Sequence, residues 1–315
     1  MADSLLHRVL FRLHPVRKTI ETWLWPPRID ERLLARSLGN PATPSGDSCR
    51  ARLQSSLCRG EELESVEFRR WSERLGEQFR LHRKLWEWCY ICEALAERGY
   101  LQPGHRGLGF AVGQEPLPSL FAAMGCRIMA SDLATDDTRA RTWEASGQWA
   151  SNLAALNARG LCSSDQFARL VEFQAVDMNA IPDELCRGEF DFTWSSCSFE
   201  HCGSLRLGQE FFRRQMNCLR PGGLAVHTTE FNLSSNKNTI SEGETVIYRR
   251  RDIEELIADL ESDGHMVEPL NLHLGHHRLA RHIDFPPYKS DQHLRLALMG
   301  FVTTSVGLII QKKQS

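Results

Sequence analysis

Residues 106–132 read RGLGFAVGQEPLPSLFAAMGCRIMASD and contain a glycine-rich turn between two apolar runs. The first run, Arg106–Val112, and the second, Arg127–Asp132, predict β-strands, and the segment between them, Leu117–Met124, predicts a helix. A strand, a helix and a second strand in this order are typical of a parallel sheet with crossover helices. The stretch therefore predicts an α/β fold.

The glycines of this turn and the acid that ends the second strand indicate a bound ligand. Gly109 and Gly113 allow the chain to turn sharply and allow a ligand to approach the backbone. Asp132 follows Gly113 by about 20 positions, where an acid can accept hydrogen bonds from the ribose hydroxyls of an adenosine-bearing cofactor. The alternative is that the glycines only pack helix against strand and that Asp132 caps the next segment.

Nicotinamide or flavin dinucleotides and S-adenosylmethionine both fit this type of turn. A dinucleotide places its pyrophosphate on the helix N-terminus. Here Glu115 would repel a phosphate, and Pro116 removes an N–H donor and stands where a third glycine is needed. These two residues disfavour a dinucleotide, whereas an amino-acid-type zwitterion meets no such conflict.

The rest of the chain continues the alternation, after an N-terminal part that reads as helical. An amphipathic segment, Ser4–Trp25, is expected to dock on the domain or a partner, or to associate weakly with a membrane surface. We expect a helical N-terminal region over residues 1–100 and one α/β domain over residues 101–315. Further strands are predicted at Val171–Val176, Phe190–Ser195, Leu224–Thr229, Met266–Leu270 and Phe301–Gln311, and helices at Glu61–Gly99, Thr142–Ala158, Ser164–Leu170, Leu207–Leu219 and Asp252–Asp263.

Three further motifs carry a resemblance to a known family. They are VDMNAIP at 176–182, FDFTWSSCSFEH at 190–201 and CLRPGGL at 218–224. In this order and spacing they resemble the class I S-adenosylmethionine-dependent methyltransferases, over roughly residues 100–311. The resemblance implies a Rossmann-like, seven-stranded, mostly parallel sheet with flanking helices, whose last strand, near Phe301–Gln311, is antiparallel.

The resemblance also implies S-adenosyl-L-methionine as cofactor and a set of residues that bind it. The backbone of the glycine turn would line the methionyl part, the acid would bind the ribose, and later strand ends would contact the adenine and close the site under the sulfonium. In that order these residues are Gly109, Ala111 and Gly113; Asp132; Leu133, Asp177 and Met178; and Ser195.

The turn itself departs from the family motif at three positions. Ala111 replaces the first glycine. Glu115 stands where the methyltransferase motif has its third glycine, one position before the place it takes in the dinucleotide motif. Gly109 occupies the place at which family members usually carry an acid.

Methyl transfer from a sulfonium requires mainly alignment of the acceptor, together with a base that removes its proton. Candidates for that base are His227, Glu230, His201 and Glu200. His227 is favoured because an imidazole titrates near neutral pH and because His227 and Glu230 flank the end of the fifth strand. His201 and Glu200 can instead shape the loop after the fourth strand.

The His-rich segment from His273 to His293 allows two further hypotheses. His273 and His277 have zinc-ligand spacing if the segment is helical, but Gly275 weakens such a helix, and we expect no metal site. Asp284–Tyr288 is rigid, aromatic and polar, which suits a lid over a sugar or phenol ring.

Composition limits the remaining function classes. The 315 residues are 42% hydrophobic and 25% charged with a formal net charge of −2, so no nucleic-acid partner is expected. No apolar run approaches the roughly 20 residues of a membrane span, and no signal-peptide pattern opens the chain, so a cytoplasmic protein with reduced thiols is expected.

These observations favour a methyltransferase acting on a small-molecule or glycan-type acceptor, at oxygen rather than nitrogen. Two alternatives remain: a nucleotide-dependent oxidoreductase on a similar sheet, and a non-catalytic cofactor-binding or regulatory module. No oligomeric state is predicted.

Overall fold

A mostly parallel sheet forms the centre of this computed structural model, which describes residues 26–34, 52–134, 153–288 and 291–314. The strands of the described residues pair in the order β4-β3-β2-β5-β6-β10-β1-β8, and β7 and β9 also pair with β10. They are β1 Ser55–Leu57, β2 Arg106–Gly109, β3 Arg127–Asp132, β4 Val171–Ala175, β5 Phe190–Ser196, β6 Leu219–Asn232, β7 Met266–Val267, β8 Leu270–Asn271, β9 Leu296–Leu298 and β10 Phe301–Gln311.

Helices cover both faces of this sheet. One face packs on α3 and α4 and the other on α6 and α7. Several helices begin at a serine whose hydroxyl accepts a backbone N–H of the first turn, as Ser163 and Ser204 do. The α-helices are α1 Gly60–Glu64, α2 Val66–Arg74, α3 Arg83–Ala96, α4 Leu117–Ala123, α5 Ser164–Leu170, α6 Leu205–Gln215 and α7 Arg250–Ser262.

The sheet confirms the predicted Rossmann-like α/β fold. Strands β4, β3, β2, β5 and β6 are parallel, and β10 runs antiparallel to β6, as expected for the last strand. The predicted strand Phe301–Gln311 and the predicted helix Ser164–Leu170 have the observed bounds. The first predicted strand ends early, at Gly109, because the residues after it leave the sheet to form the glycine turn.

The number of strands differs from the seven expected. Strand β1 lies beyond β10 and pairs with it antiparallel. The predicted strand Met266–Leu270 is therefore divided, because β7 reaches β10 directly whereas β8 pairs with the inserted β1. The extra strands are short segments at the edge of this sheet and do not form a second sheet.

The segment before residue 101 is not purely helical, since it supplies β1 to the sheet. Helix α3 is apolar on nearly all sides and buried from Leu85 to Leu95, because it lies between the sheet and helices α1 and α2. A Cβ at Gly307 in β10 would collide with the ring of Tyr90 in α3, so this glycine allows the close approach. The division at residue 100 remains a sequence-based prediction, and both the sheet and its core cross it.

Some predicted segments lie outside the described residues. Ser4–Trp25 is one, and of the predicted helix Thr142–Ala158 only the end is described, as a 3₁₀ turn at Leu153–Asn157. Within the ranges that the structure covers, no helix has the length and apolarity needed to cross a bilayer.

Candidate cofactor and acceptor site

A cavity of about 740 Å³ opens at the carboxyl edge of the parallel strands. It is lined from the turn after β2, from the ends of β3, β4 and β5, and from β6 near its end. The chain order reverses direction between β2 and β5, and ligands bind at such a switch point in open α/β sheets. The lining residues extend from β3 to β6, which is three strand spacings, or roughly 14 Å.

The turn after β2 is held by the acid that ends β3. The backbone N–H of Gly113 donates to one carboxylate oxygen of Asp132 over 2.9 Å, and the N–H of Leu133 donates to the other over 2.8 Å. Ala111 adopts a left-handed conformation with φ of 47°, as Gly113 does with 53°. Burial raises the pKa of Asp132 to about 6, against the effect of the two backbone hydrogen bonds. Asp132 therefore shapes the turn and faces the cavity.

Gly109 and Glu115, two of the residues that depart from the family motif, both contact Trp194. A side chain at Gly109 would collide with the indole of Trp194 in β5, so the glycine makes room for that ring. The indole Nε1–H donates to Oε1 of Glu115 over 2.7 Å. Gly109 thus leaves the motif without the acid that family members usually carry two residues before the first glycine. The carboxyl group of Glu115 lines the cavity instead. Burial raises the pKa of Glu115 to about 8.

Two predicted adenine contacts lie beyond β4 and reach the cavity as expected. Asp177 and Met178 line it together with Leu133. The Asp177 carboxylate accepts the backbone N–H of Asn179 over 2.9 Å and so begins the 3₁₀ turn Met178–Ala180. Of the predicted cofactor residues, those brought to the cavity are Ala111, Gly113, Asp132, Leu133, Asp177 and Met178.

Ser195 and His227 are not brought to the cavity. They lie on the face of the sheet that packs on α6. There Ser195 Oγ is 2.8 Å from His227 Nδ1, and the imidazole packs against Phe211 and Phe212 of α6. His227 is fully buried, and burial lowers its pKa to about 3. The prediction of His227 as the general base is therefore corrected, because side chains alternate along a strand and this one points away from the cavity. Gly109 is also absent from the cavity lining.

Glu230 and His201 do line the cavity. Glu230 forms an ion pair with Arg83 from α3, and burial raises its pKa although Arg83 opposes that shift. His201 donates from Nδ1 to the carbonyl oxygen of Glu244 over 2.7 Å, and burial lowers its pKa. Glu200, also at the cavity, accepts the Thr229 hydroxyl over 2.9 Å, and burial raises its pKa to about 7.

Sequence reasoning missed the charged start of α3. Lys84 lies 3.1 Å from Glu87, which is 1% exposed and also accepts the thiol of Cys197 over 3.0 Å. Burial disfavours ionised Glu87, but Lys84 and Arg83 lower its pKa to about 2. The signal was present as charges three and four residues apart on an otherwise apolar helix.

The histidines of the His-rich segment differ in whether they line the cavity. The rings of His273 and His276 meet at a tilt outside the cavity, with centroids 4.8 Å apart. No group of three or more potential ligands suited to a metal ion occurs among the described residues. His293, in contrast, lines the cavity beside His82. The predicted lid residue Tyr288 packs edge-on against His293 without lining the cavity.

Comparison with known proteins gives matches to solved structures alone. No family model and no curated protein matches the chain. Phosphoethanolamine N-methyltransferase 2 from Haemonchus contortus matches in two structures. One contains phosphomonomethylethanolamine and S-adenosylhomocysteine (17% identity, 70% of this chain and 52% of that one, TM-score 0.44), and the other contains S-adenosyl-L-methionine (16%, 81% and 60%, 0.46). The chain thus spans between one half and two thirds of that protein.

A putative sarcosine dimethylglycine methyltransferase from Galdieria sulphuraria also matches. The identity is 16%, over 79% of this chain and 99% of that one, with a TM-score of 0.44. The function proposed below rests on the site itself.

Proposed function

We propose that this protein is an S-adenosylmethionine-dependent methyltransferase that methylates a hydroxyl group of a small-molecule or glycan-type acceptor. The observation that carries the proposal is the unit of Asp132 and the left-handed turn at Ala111 and Gly113, placed at the switch point of the sheet. An acid in this position can accept the ribose hydroxyls while the turn offers its backbone to the methionyl part.

The charge of the cavity fits this cofactor better than a dinucleotide. Among the described residues, six side chains with a carboxyl group and three cationic side chains line it. S-adenosylmethionine carries a sulfonium and an ammonium, whereas a dinucleotide brings two phosphates to the turn, where Glu115 is buried. The carboxyl groups are those of Glu87, Glu115, Asp132, Asp177, Glu200 and Glu230, and the cations are Arg83, Lys84 and Arg159.

Each part of the cofactor has a residue suited to it. Asp132 would hold the ribose, Leu133 would flank the adenine, and Asp177 with the backbone of Met178 would meet its amino group. Glu115 would accept the α-ammonium in place of the acid that the motif lacks. The cofactor supplies an activated methyl group, and the chain supplies orientation and exclusion of water.

The direct test is calorimetric titration of the protein with S-adenosylmethionine, S-adenosylhomocysteine and NAD. We expect both adenosyl ligands to bind and NAD to give no heat. Binding of NAD alone would support the oxidoreductase instead. No binding of any of the three would contradict the proposed cofactor and favour a non-catalytic module.

Cofactor binding is expected to release protons, because Glu115 is mostly protonated at neutral pH when its pKa is about 8. A nearby ammonium favours the ionised carboxyl, so the affinity should rise with pH towards about 8 and fall above it, where the α-ammonium of the ligand loses its proton. The measurement is calorimetry in two buffers of different ionisation enthalpy.

The matched variant for this prediction is Glu115→Gln, which keeps the shape and the contact with Trp194. It should bind with less proton release and without the rise in affinity between about pH 7 and pH 8. Unchanged proton release in the variant would show that Glu115 does not face the ammonium.

A further inference from the structure

A histidine–aspartate pair from the segment before β9 stands at the cavity. The imidazole of His293 lines the cavity, and its Nδ1 lies 2.6 Å from Oδ2 of Asp284. His293 is 8% exposed and Asp284 is 7% exposed. None of the roles assigned above uses this pair.

The backbones of both residues are fixed by bridges to neighbouring segments. His293 exchanges hydrogen bonds of 2.9 Å with the segment that leads into α3, and Asp284 exchanges bonds of 2.8 and 2.9 Å with the start of β9. The pair is therefore pre-organised, which a base acting on a bound substrate requires. The bridging partners are Leu81 and Arg83 for His293, and Arg295 and Ala297 for Asp284.

The ring of His293 is also fixed, from two sides. His82 stacks on it with centroids 4.7 Å apart, and Tyr288 meets it edge-on at 5.4 Å. The Nδ1 of His82 accepts the backbone N–H of Lys84 over 3.0 Å. Burial is the main cause that lowers the pKa of His82 to about 3, and His293 and nearby cations add to the shift. This ring therefore stays neutral. His82 thus contributes a flat uncharged face and does not compete for a proton.

The other candidate bases lack this arrangement. Glu230 is paired with the cation of Arg83. His201 Nδ1 meets the neutral carbonyl of Glu244 and the hydroxyl of Thr245. Asp284, in contrast, is an acceptor whose negative charge stabilises a protonated imidazole.

We propose that His293, oriented by Asp284, is the general base that removes the proton from the acceptor hydroxyl during methyl transfer. This inference rests on the proposed function. With Nδ1–H donated to Asp284, Nε2 carries the lone pair that takes the proton. The acceptor O–H and the S–CH₃ bonds break, the O–CH₃ bond forms, the sulfonium becomes a neutral thioether, and the proton on Nε2 passes to solvent.

The test compares two phenols of different acidity as probe acceptors. His82 and Trp88 place aromatic rings at the cavity wall, which favours an aromatic acceptor. Phenol, with a pKa of about 10, is protonated at about pH 8 and needs a base, whereas the more acidic para-nitrophenol is largely ionised there. We expect His293→Gln to lower kcat on phenol by roughly 100-fold or more, while activity on para-nitrophenol falls far less.

Two further variants complete the experiment. Asp284→Asn should follow the same pattern with a smaller loss on phenol, and it tests the pair even if His293→Gln does not fold. His282→Gln, at an exposed histidine of the same segment, should behave like wild type. Thermal unfolding and S-adenosylmethionine affinity establish that each variant is folded and binds the cofactor.

The outcomes separate this inference from the proposed function. An equal loss on both phenols would contradict proton removal and leave His293 a positioning role. Cofactor binding without methylation of either phenol by the wild type would contradict a base directed at a hydroxyl and leave the cofactor site standing. Absence of cofactor binding would overturn the proposed function itself.

Discussion

Replacing Glu87 with Gln is expected to lower the free energy of unfolding by about 3 kcal/mol, because it removes the negative charge of a buried carboxylate that is paired with Lys84 and Arg83. Glu87 is 1% exposed and compensates Lys84 directly. Its carboxylate also accepts the Cys197 thiol and the hydroxyls of Ser196 and Ser305. The variant keeps the volume of the side chain but leaves the cations of Arg83 and Lys84, whose side chains are 17% and 36% exposed, with less negative charge beside them. Thermal and urea unfolding measure the loss.

The pH dependence of this effect has a definite sign. The pKa of Glu87 is about 2 in the folded protein against 4.5 for an unperturbed group. A lowered carboxyl pKa stabilises the fold above the unfolded value, and that stability is lost as the pH falls through the folded value. The difference between Glu87→Gln and wild type should therefore be full at neutral pH and shrink as the pH falls from 4.5 towards 2.

The matched control for Glu87 is an exposed pair on α6. Arg206 and Glu210 form an ion pair with side chains 73% and 52% exposed, and such pairs contribute less than about 0.5 kcal/mol. Glu210→Gln should leave unfolding almost unchanged. If Glu87→Gln were equally mild, the charged start of α3 would not be the buried network described above.

Replacing Asp132 with Asn is expected to weaken S-adenosylmethionine binding by roughly 100-fold, which corresponds to about 3 kcal/mol of charge-assisted hydrogen bonds. The carboxylate would accept from the ribose hydroxyls and already accepts the N–H groups of Gly113 and Leu133. An amide can accept at one atom only and places an NH₂ group against the second donor. Calorimetry measures the change.

Two observations distinguish the ribose role of Asp132 from a general disturbance. Asp183→Asn, at a side chain that is 93% exposed, should bind the cofactor like wild type. Because burial raises the pKa of Asp132 to about 6, loss of this charge removes a desolvation cost that opposes the cost of placing NH₂ against a backbone N–H. Thermal unfolding of Asp132→Asn in the absence of cofactor should therefore shift little. Unchanged affinity in Asp132→Asn would remove Asp132 from the cofactor site.

The fold was predictable because its signals are local. Alternating apolar strands and amphipathic helices determined the parallel sheet, and the long apolar strand Phe301–Gln311 was found with its observed bounds. The insertion of β1 was not predictable, since three residues carry no periodic pattern and their pairing partner lies at the far end of the chain.

Most of the predicted cofactor residues line the cavity, as do Glu230 and His201 among the predicted bases, whereas Gly109, Ser195 and His227 do not. Asp132 and Asp177 follow strand ends, so their position at the edge is implied by the order of the elements. His227 and Glu230 occupy alternate faces of β6, and sequence parity requires that they point apart. What the sequence does not contain is which face carries the cavity. That choice depends on α3, which brings its charges to Glu230 and excludes His227.

The pairing of β1 with β10 also bears on when the site forms during synthesis. Ser55 Oγ accepts the backbone N–H of Ile309, a contact between residues 254 positions apart. Glu87 of α3 likewise leaves the ribosome 218 residues before Ser305 of β10, whose hydroxyl it accepts. Contacts of such separation form slowly. The charged side chains of α3 therefore stay in water, where they are well solvated, until β10 joins the sheet and covers them.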